Sequence, residues 1–405
     1  MKTRLIAASA TLAASLALGS MAASAATPSA PATKALQYLA ANQQQDGSID
    51  GAFGETADYT LGAAFHGIDP KTLKASPSNK TVFDYFTGWV SGSVSCSAVA
   101  NTRDGNSIGK LVQAVVAGGF DPTSFGGRNL LADLEGAAAT TGGAYDATTG
   151  TYADCGSYDA KTSTHQNAVY AQANAILGIE AANNPTYPLP PAAIARLRTL
   201  QDPAGSWSTF GAPNTSASAM ALMALGNRVV SYCGAAADPT LTAALAYLHT
   251  QQDPASGGFT YSSLYGTASD PDSDALVIQA LTAVGQVPDA PAWSNAKGNA
   301  VTDIATFQDS KSGGFSFDHS SAPQAFATTQ VPPGLDRAPF PTGSASIIAV
   351  TCPAPSPSAT VAAAVVPRLP AAGRPATGAP AVVLGLLGLG LLGLPLVVRG
   401  MRRQG

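Results

Sequence analysis

Apolar positions along the chain fall into helical runs that come in pairs, each pair separated by a glycine turn. In residues 241–249 the leucines recur at helical spacing, so one face of a predicted helix is apolar. The run ends before Pro254, which cannot continue a helix, and residues 256–258 (SGG) predict a tight turn. A second apolar run, residues 275–284, follows short acidic and hydroxyl side chains that suit a helix start. This pattern predicts a unit of helix, turn, loop and helix.

The same unit recurs along the chain, because the stretches 43–49, 201–207, 251–259 and 308–315 all run from Gln through Gly to Ile, Trp or Phe. Repetition at intervals of this size is typical of folds built from stacked supersecondary units. The predicted helix pairs are 35–41 with 56–65, 82–90 with 107–117, 130–139 with 166–177, 193–200 with 216–225, 241–249 with 275–284, and 301–307 with a second helix spoiled by Pro332 and Pro333. We therefore predict six helix pairs.

The second helix of a pair, as in residues 218–225 (SAMALMAL), is apolar on nearly all sides, whereas the first helices are more mixed. A helix that is apolar all round is expected to be buried all round. We therefore predict an all-α domain over residues 27–352, an α/α toroid in which an outer ring of helices surrounds an inner ring.

The repeat motif in Gln201, Gly205 and Trp207 resembles that of squalene and terpene cyclases. Their fold is shared by the β subunits of protein prenyltransferases and by vitamin B12 carriers of the intrinsic factor and transcobalamin type. The resemblance covers about 300 residues and implies the toroid fold. It does not imply one function, because these relatives have different activities.

Both ends of the chain have the character of targeting segments. Residues 1–25 have a basic start, an apolar stretch and a small-residue cleavage site, which predicts a signal peptide and export. Residues 353–378 are rich in Pro and Ala and predict an extended stalk. Residues 379–398 are uncharged and predict a transmembrane helix, and the basic tail 399–405 is expected on the cytoplasmic side.

The end of the stalk resembles the sorting signal of Gram-positive surface proteins that sortase attaches to the cell wall. Residues 374–378 (RPATG) have Arg where that family has Leu, and the resemblance implies cleavage between Thr377 and Gly378. Residues 369–373 (LPAAG) have Ala where the scissile Thr belongs. A plain single-pass membrane anchor is the alternative.

Composition excludes one class of partner and suggests disulfides. Charged residues make up 11% of the chain and its formal net charge is −4, so no basic surface is expected to hold nucleic acid. Cys96, Cys155, Cys233 and Cys352 lie in the predicted exported part, where disulfides are favoured. We favour Cys96 with Cys155 and Cys233 with Cys352, although three pairings are open.

The sharpest candidate for chemistry is the run Asp270-Pro271-Asp272-Ser273-Asp274. It resembles the Asp-any-Asp-Asp motif of class II cyclases, which implies Asp270 and Asp272 as catalytic candidates, with Asp272 as proton donor. Ser273 replaces the third Asp of that motif. The alternative is that Asp272 or Asp274 caps the helix in a solvated acidic cluster. Calcium and zinc ligand patterns are incomplete here, so no metal or cofactor is predicted.

Closure of the ring would gather the starts of the inner helices at one mouth. Side chains at those starts are the predicted ligand-binding residues: Asp58, His165, Asn167, Asp272 and Asp274. Helix dipoles there favour a polar or anionic ligand. We expect a surface protein that binds a small molecule or an extracellular polymer, a binder rather than an enzyme. The alternatives are an exported enzyme, either cyclase-like through Asp272 or polysaccharide-cleaving through paired carboxylates, and a structural wall protein.

Overall fold

The computed structural model describes residues 28–93, 103–136, 143–155, 158–159, 164–165, 168–229 and 238–340, and this part of the chain is mostly helical. The α-helices in chain order are α1 Ala30–Ala41, α2 Phe53–Phe65, α3 Val82–Ser93, α4 Gly105–Ala117, α5 Leu130–Glu135, α6 Ala168–Ala182, α7 Pro191–Thr199, α8 Thr215–Val229, α9 Pro239–Thr250, α10 Pro271–Ala283, α11 Ala300–Ile304, α12 Ala325–Thr329 and α13 Val331–Leu335.

Alternate helices form a closed inner ring. Helix α2 packs against α4, α4 against α6, α6 against α8, α8 against α10, α10 against α13, and α13 returns to α2. The intervening helices α3, α5, α7, α9 and α11 each pack on the inner helix that precedes them, and α1 packs on α12 and α13. The described residues therefore form an α/α toroid, as the repeats predicted.

Burial distinguishes the two rings. Helix α10 is buried at nearly every position. Outer helix α1 buries only Ala32, Ala35, Leu36 and Leu39, a single stripe at helical spacing. Inner helices contact neighbours on all sides, and glycine lies where two of them pack most closely. At the tightest place, a Cβ on Gly109 would lie 2.4 Å from the Asn174 carbonyl oxygen, and one on Gly178 would lie 2.5 Å from the Gly109 carbonyl oxygen.

Short hairpins between some outer and inner helices add to the mostly helical fold, and the sequence did not predict them. The strands pair antiparallel as β1 with β2, β3 with β4 and β5 with β6. Their bounds are β1 Tyr145–Asp146, β2 Thr151–Tyr152, β3 Tyr158–Asp159, β4 Thr164–His165, β5 Trp207–Thr209 and β6 Ala212–Asn214. The last inner element is split, as its prolines suggested, into α12 and α13 on either side of Gln330.

The recurring Gln joins one repeat to the next. The side-chain amide of Gln201 donates to the carbonyl of Gly205 at 2.9 Å and to that of Thr240, in the next outer helix, at 2.9 Å. Gln252 donates in the same way to Gly257 and Trp293, and Gln308 to Gly313 and to Pro31 of the first repeat. We call this contact the repeat joint. The repeat joint at Gln308 contacts the first repeat and so helps to close the ring.

The predicted segments at the two ends lie outside the described residues. These are the signal peptide, the stalk, the sorting motif with Thr377 and Gly378, and the transmembrane helix 379–398. Within the described ranges, no helix is both long and apolar enough to cross a membrane.

Candidate functional site

Ionisable side chains from three inner helices interact near the helix starts. Glu55 and Asp58 lie in the first two turns of α2, Lys110 lies in the second turn of α4, and Asp270 and Asp272 lie at the start of α10. We call these five residues the ring mouth. Their placement follows from the ring, because α2 and α10 flank the short elements α12 and α13 and so come close together.

Asp270 is the N-cap of α10. One carboxylate oxygen accepts the backbone N–H of Ser273 at 2.8 Å, and the other accepts the Ser273 hydroxyl at 2.7 Å. Burial raises the pKa of Asp270 to about 6, although these hydrogen bonds pull in the opposite direction. The capping residue is therefore Asp270, rather than Asp272 or Asp274 as the alternative interpretation of the sequence had it.

Asp272 has the most unusual environment of the mouth residues. The residue is only 7% exposed, and its Oδ1 atom is buried without a hydrogen-bond partner among the described residues. Burial raises the pKa of Asp272 well above 3.8, and the charges of Asp270, Asp58 and Glu55 raise it further. Asp272 therefore holds a proton at pH values where an ordinary aspartate is ionised.

Asp58 differs from Asp272 because it has a cationic partner. Its Oδ2 atom lies 2.8 Å from the Lys110 Nζ atom, and the Asp58 side chain is 8% exposed. Burial raises the pKa of Asp58, and Lys110 offsets part of that effect. Burial and the nearby Asp58 charge raise the pKa of Glu55. The mouth thus combines a buried carboxyl whose Oδ1 atom has no hydrogen-bond partner among the described residues with a carboxyl paired with an ammonium group.

The charge of the mouth limits what it could bind. Four carboxyl groups face one ammonium group in this set. The helix dipoles alone favour an anion, but the carboxyl groups at these helix starts disfavour one. The geometry suits neutral polar or basic ligands.

Asp274 holds the segment after the glycine turn and faces Asp303, although the Asp270 charge also acts on it. Its Oδ1 atom accepts the backbone N–H of Phe259 at 2.7 Å, and its carboxyl faces that of Asp303. In other repeats a hydroxyl oxygen accepts the corresponding backbone N–H at 2.9 Å. The acceptor and donor residues are Thr56 and Ile49, Ser218 and Trp207, and Thr328 and Phe315. Burial and the Asp303 charge raise the pKa of Asp274 well above 3.8.

The structure describes the remaining predicted site residues only in part. His165 pairs with Tyr158 in the β3–β4 hairpin, but its side chain and all of Asn167 lie outside what the structure describes. Cys155 is not a free thiol, whereas Cys96, Cys233 and Cys352 lie outside the described residues, so the pairing stays a prediction. No group of three or more His, Cys, Asp and Glu side chains in the described ranges is arranged to hold a metal ion.

Glu55, Lys110 and Tyr170 are residues in or beside the site that the sequence did not predict. Glu55 precedes Asp58 by three residues, so both fall on one face of α2, and this spacing was a usable signal. Lys110 is the one charged residue in the otherwise uncharged helix α4. Tyr170, in the first turn of α6, lies near Asp270 and Asp272; burial raises its pKa, and the charges of these two residues raise it further. Nothing in the sequence around Tyr170 marks it.

No family model matches the chain, and no curated protein sequence is significantly similar to it. Among solved structures, Candida albicans protein geranylgeranyltransferase-I complexed with GGPP is 11% identical, covers 75% of this chain and 90% of its own, and gives a TM-score of 0.46. A protein from Actinoplanes is 13% identical over 76% of this chain and 98% of its own, with a TM-score of 0.46. The type II terpene cyclase MstE from Scytonema is 14% identical over 76% of this chain and 98% of its own, with a TM-score of 0.45. Because these TM-scores are below 0.5, the toroid assignment rests on the closed ring of helix contacts.

Proposed function

We propose that the protein is an exported, surface-anchored α/α toroid that binds an extracellular small molecule or polymer at its ring mouth. The proposal combines the targeting segments of the sequence with the ionisable side chains at the starts of α2, α4 and α10. The ligand enters among Asp58, Lys110 and Asp272 and forms hydrogen bonds with these groups.

The observation that carries the proposal is the buried Oδ1 atom of Asp272, which has no hydrogen-bond partner in the part of the chain that the structure describes. A buried polar atom without a hydrogen bond lowers the free energy of unfolding by about 1–3 kcal/mol. Asp270, two residues earlier, has its carboxylate satisfied by Ser273. A ligand that supplies a partner to Asp272 recovers that cost.

A thermal-shift screen of the full chain in detergent tests the binding function. The panel contains corrinoids, isoprenoids and wall glycans, and binding is read as a rise in melting temperature. The shift should disappear in Asp272→Asn and persist in Asp289→Asn, which alters an exposed carboxylate paired with Arg337. Absence of any shift across the panel, or an equal shift in Asp272→Asn, would reject binding at the ring mouth.

Acid catalysis through Asp272 is the second candidate, and the raised pKa of this carboxyl favours it. A general acid must still hold its proton at the working pH, which burial of Asp272 provides. Asp58, held by Lys110, would be the complementary carboxylate. Turnover of any ligand found in the screen should fall as pH rises through the Asp272 pKa and vanish in Asp272→Asn. Binding without turnover leaves the protein a carrier or adhesin.

Anchoring at the cell surface is supported by the sequence of residues 353–405. Sortase attachment would join the Thr377 carbonyl to the wall, whereas a simple anchor would keep residues 379–398 in the membrane. In cells, Thr377→Ala should make the protein extractable with detergent. Unchanged extraction would show that attachment does not proceed through Thr377.

A further inference from the structure

Large apolar side chains are exposed on two neighbouring segments beside α8 and α10. Phe210, at the turn of the β5–β6 hairpin, is 45% exposed, and Leu264 and Tyr265, in the loop that leads to α10, are 67% and 73% exposed. Tyr261, in the same loop, is 36% exposed. We call these four residues the aromatic rim. Exposed apolar side chains that cluster in this way mark binding surfaces more often than ones scattered singly.

Hydrogen bonds hold the rim segments in place. The Tyr261 carbonyl accepts the backbone N–H of Thr215, the first residue of α8, at 2.9 Å. The Ser263 N–H donates to the side chain of buried Gln251 at 2.8 Å, and the Tyr265 N–H donates to the Ser262 carbonyl at 3.0 Å. The rim is thus positioned before any ligand arrives, which lowers the entropy cost of binding.

The rim continues into the ring mouth. Tyr261 lies close enough to Asp270 for that charge to affect its hydroxyl, and Tyr170 interacts in the same way with Tyr261, Asp270 and Asp272. The side chains therefore run from the exposed Tyr265 through Tyr261 and Tyr170 to the buried carboxyl of Asp272.

We propose that the aromatic rim and the ring mouth form one site for a saccharide chain without acidic groups, with a sugar ring on Tyr265 and Tyr261 and the next sugar in the mouth. This inference rests on the proposed binding function and names its ligand. The flat face of a sugar ring is apolar and packs on an aromatic ring, while the hydroxyls at its edge reach polar groups.

The mixture of groups in the mouth selects hydroxyls over other ligand chemistries. The buried Asp272 Oδ1 atom has no hydrogen-bond partner among the described residues, Asp58 accepts from the Lys110 ammonium, and that ammonium has further N–H donors. A sugar hydroxyl both donates and accepts, so it can satisfy all three. A basic side chain of a peptide only donates, so it cannot accept from the Lys110 ammonium. An isoprenoid would bury these groups with no partner, and a uronic acid would add charge to four carboxyl groups.

Titration of the full chain in detergent with defined hexasaccharides tests this inference by calorimetry. The neutral set is cellohexaose, maltohexaose, xylohexaose and the hexamer of N-acetylglucosamine, and an oligogalacturonide provides the acidic arm. We expect binding to at least one neutral oligosaccharide and none to the acidic one. Tyr265→Ala should weaken that binding by about tenfold. Val287→Ala should leave it unchanged, because Val287 is 55% exposed just beyond the opposite end of α10.

The outcomes separate this inference from the proposed function. Preference for the acidic oligosaccharide, or equal binding by Tyr265→Ala and Val287→Ala, overturns the saccharide site. If every saccharide and a lysine-rich control peptide fail while a corrinoid or isoprenoid gives a shift that depends on Asp272, the binding function stands and its saccharide ligand is rejected. Binding of the peptide in place of saccharides would likewise reject the saccharide site.

Discussion

The His66 Nδ1 atom lies 2.7 Å from the Asp336 Oδ2 atom, across 270 residues of sequence. His66 directly follows α2 and Asp336 directly follows α13. The other Asp336 oxygen accepts the backbone N–H of Ser29 at 2.9 Å, and the His66 Nε2 atom lies 2.8 Å from the Thr33 hydroxyl oxygen. Both side chains of the pair are nearly inaccessible to solvent. This pair therefore ties the last inner helix to the first repeat.

We predict that Asp336→Ala lowers the free energy of unfolding by about 3 kcal/mol, because it removes two hydrogen bonds and leaves buried His66 and the Ser29 N–H without their acceptor. Urea denaturation followed by tryptophan fluorescence measures the change. The ring should open more readily at the contact of α13 with α1 and α2.

The nearby pair of Arg337 and Asp289 provides the control. Its closest atoms lie 2.6 Å apart, but both side chains are more than one third exposed. Solvent screens such a pair, so Asp289→Ala should cost less than about 1 kcal/mol. Equal losses in Asp336→Ala and Asp289→Ala would contradict a special role of the buried pair in closing the ring.

A second prediction concerns the glycine of the repeat joint. Gly205 has a φ of +89°, and a Cβ there would lie 2.3 Å from the Ala243 carbonyl oxygen. Gly211 has a similar φ of +77°, but a Cβ there would have no atom within 4 Å. Gly211→Ala should therefore cost about 1 kcal/mol for backbone strain alone, and Gly205→Ala about 3 kcal/mol or more. Thermal denaturation distinguishes them, and similar losses would show that the close approach to α9 is not limiting.

The repeats were predictable because the features that stop and start a helix are local. Such local features include Pro254, the glycine of the turn and the short acceptors before α10. Each of them determines the conformation of only the few residues next to it. The second hydrogen bond of Gln201, to Thr240, was not predictable, because its acceptor belongs to the next repeat. The β5–β6 hairpin was also missed, because its strands are three residues each and too short to show alternation.

Only part of the ring mouth could be predicted. Asp58 and Asp272 were expected at helix starts, and the structure brings them within electrostatic reach. Asp274 was expected beside them, but a helix turns successive side chains by about 100°, and two residues suffice to place it on another face. Lys110 was missed because its contact with Asp58 depends on how α4 packs on α2, which no local pattern encodes.

A third prediction follows from the place of Asp274 in its repeat. Thr328 holds the equivalent position in the last repeat and caps Phe315 with a hydroxyl. Asp274→Ser should keep the hydrogen bond from the Phe259 N–H while removing a buried carboxyl that faces Asp303. We expect the variant to be more stable than the wild type at pH 8, by about 1–2 kcal/mol.

The sign of the pH dependence provides the check. Because the folded-state pKa of Asp274 is raised above 3.8, its stabilising contribution is complete below that pH and is lost as pH rises through the folded-state pKa. The advantage of Asp274→Ser should thus grow as pH rises above 3.8. Urea denaturation at a series of pH values measures it, with Thr328→Ser as the uncharged control. A constant difference between variant and wild type across the series would contradict the assignment.

The fourth prediction concerns the ion pair of Asp58 and Lys110 in the ring mouth. Lys110→Met leaves the buried Asp58 carboxyl without its cation, so the pKa of Asp58 should rise further and the protein should lose about 2 kcal/mol of stability at pH 7. The loss should shrink as pH falls through the pKa of Asp58, because a protonated carboxyl does not need the ammonium group. Asp58→Asn in the Lys110→Met background completes a double-mutant cycle, and we expect the double variant to be more stable than the sum of the single losses implies. Strictly additive losses would mean that the 2.8 Å contact contributes nothing to the fold and that Asp58 is not held in its ionised form by Lys110.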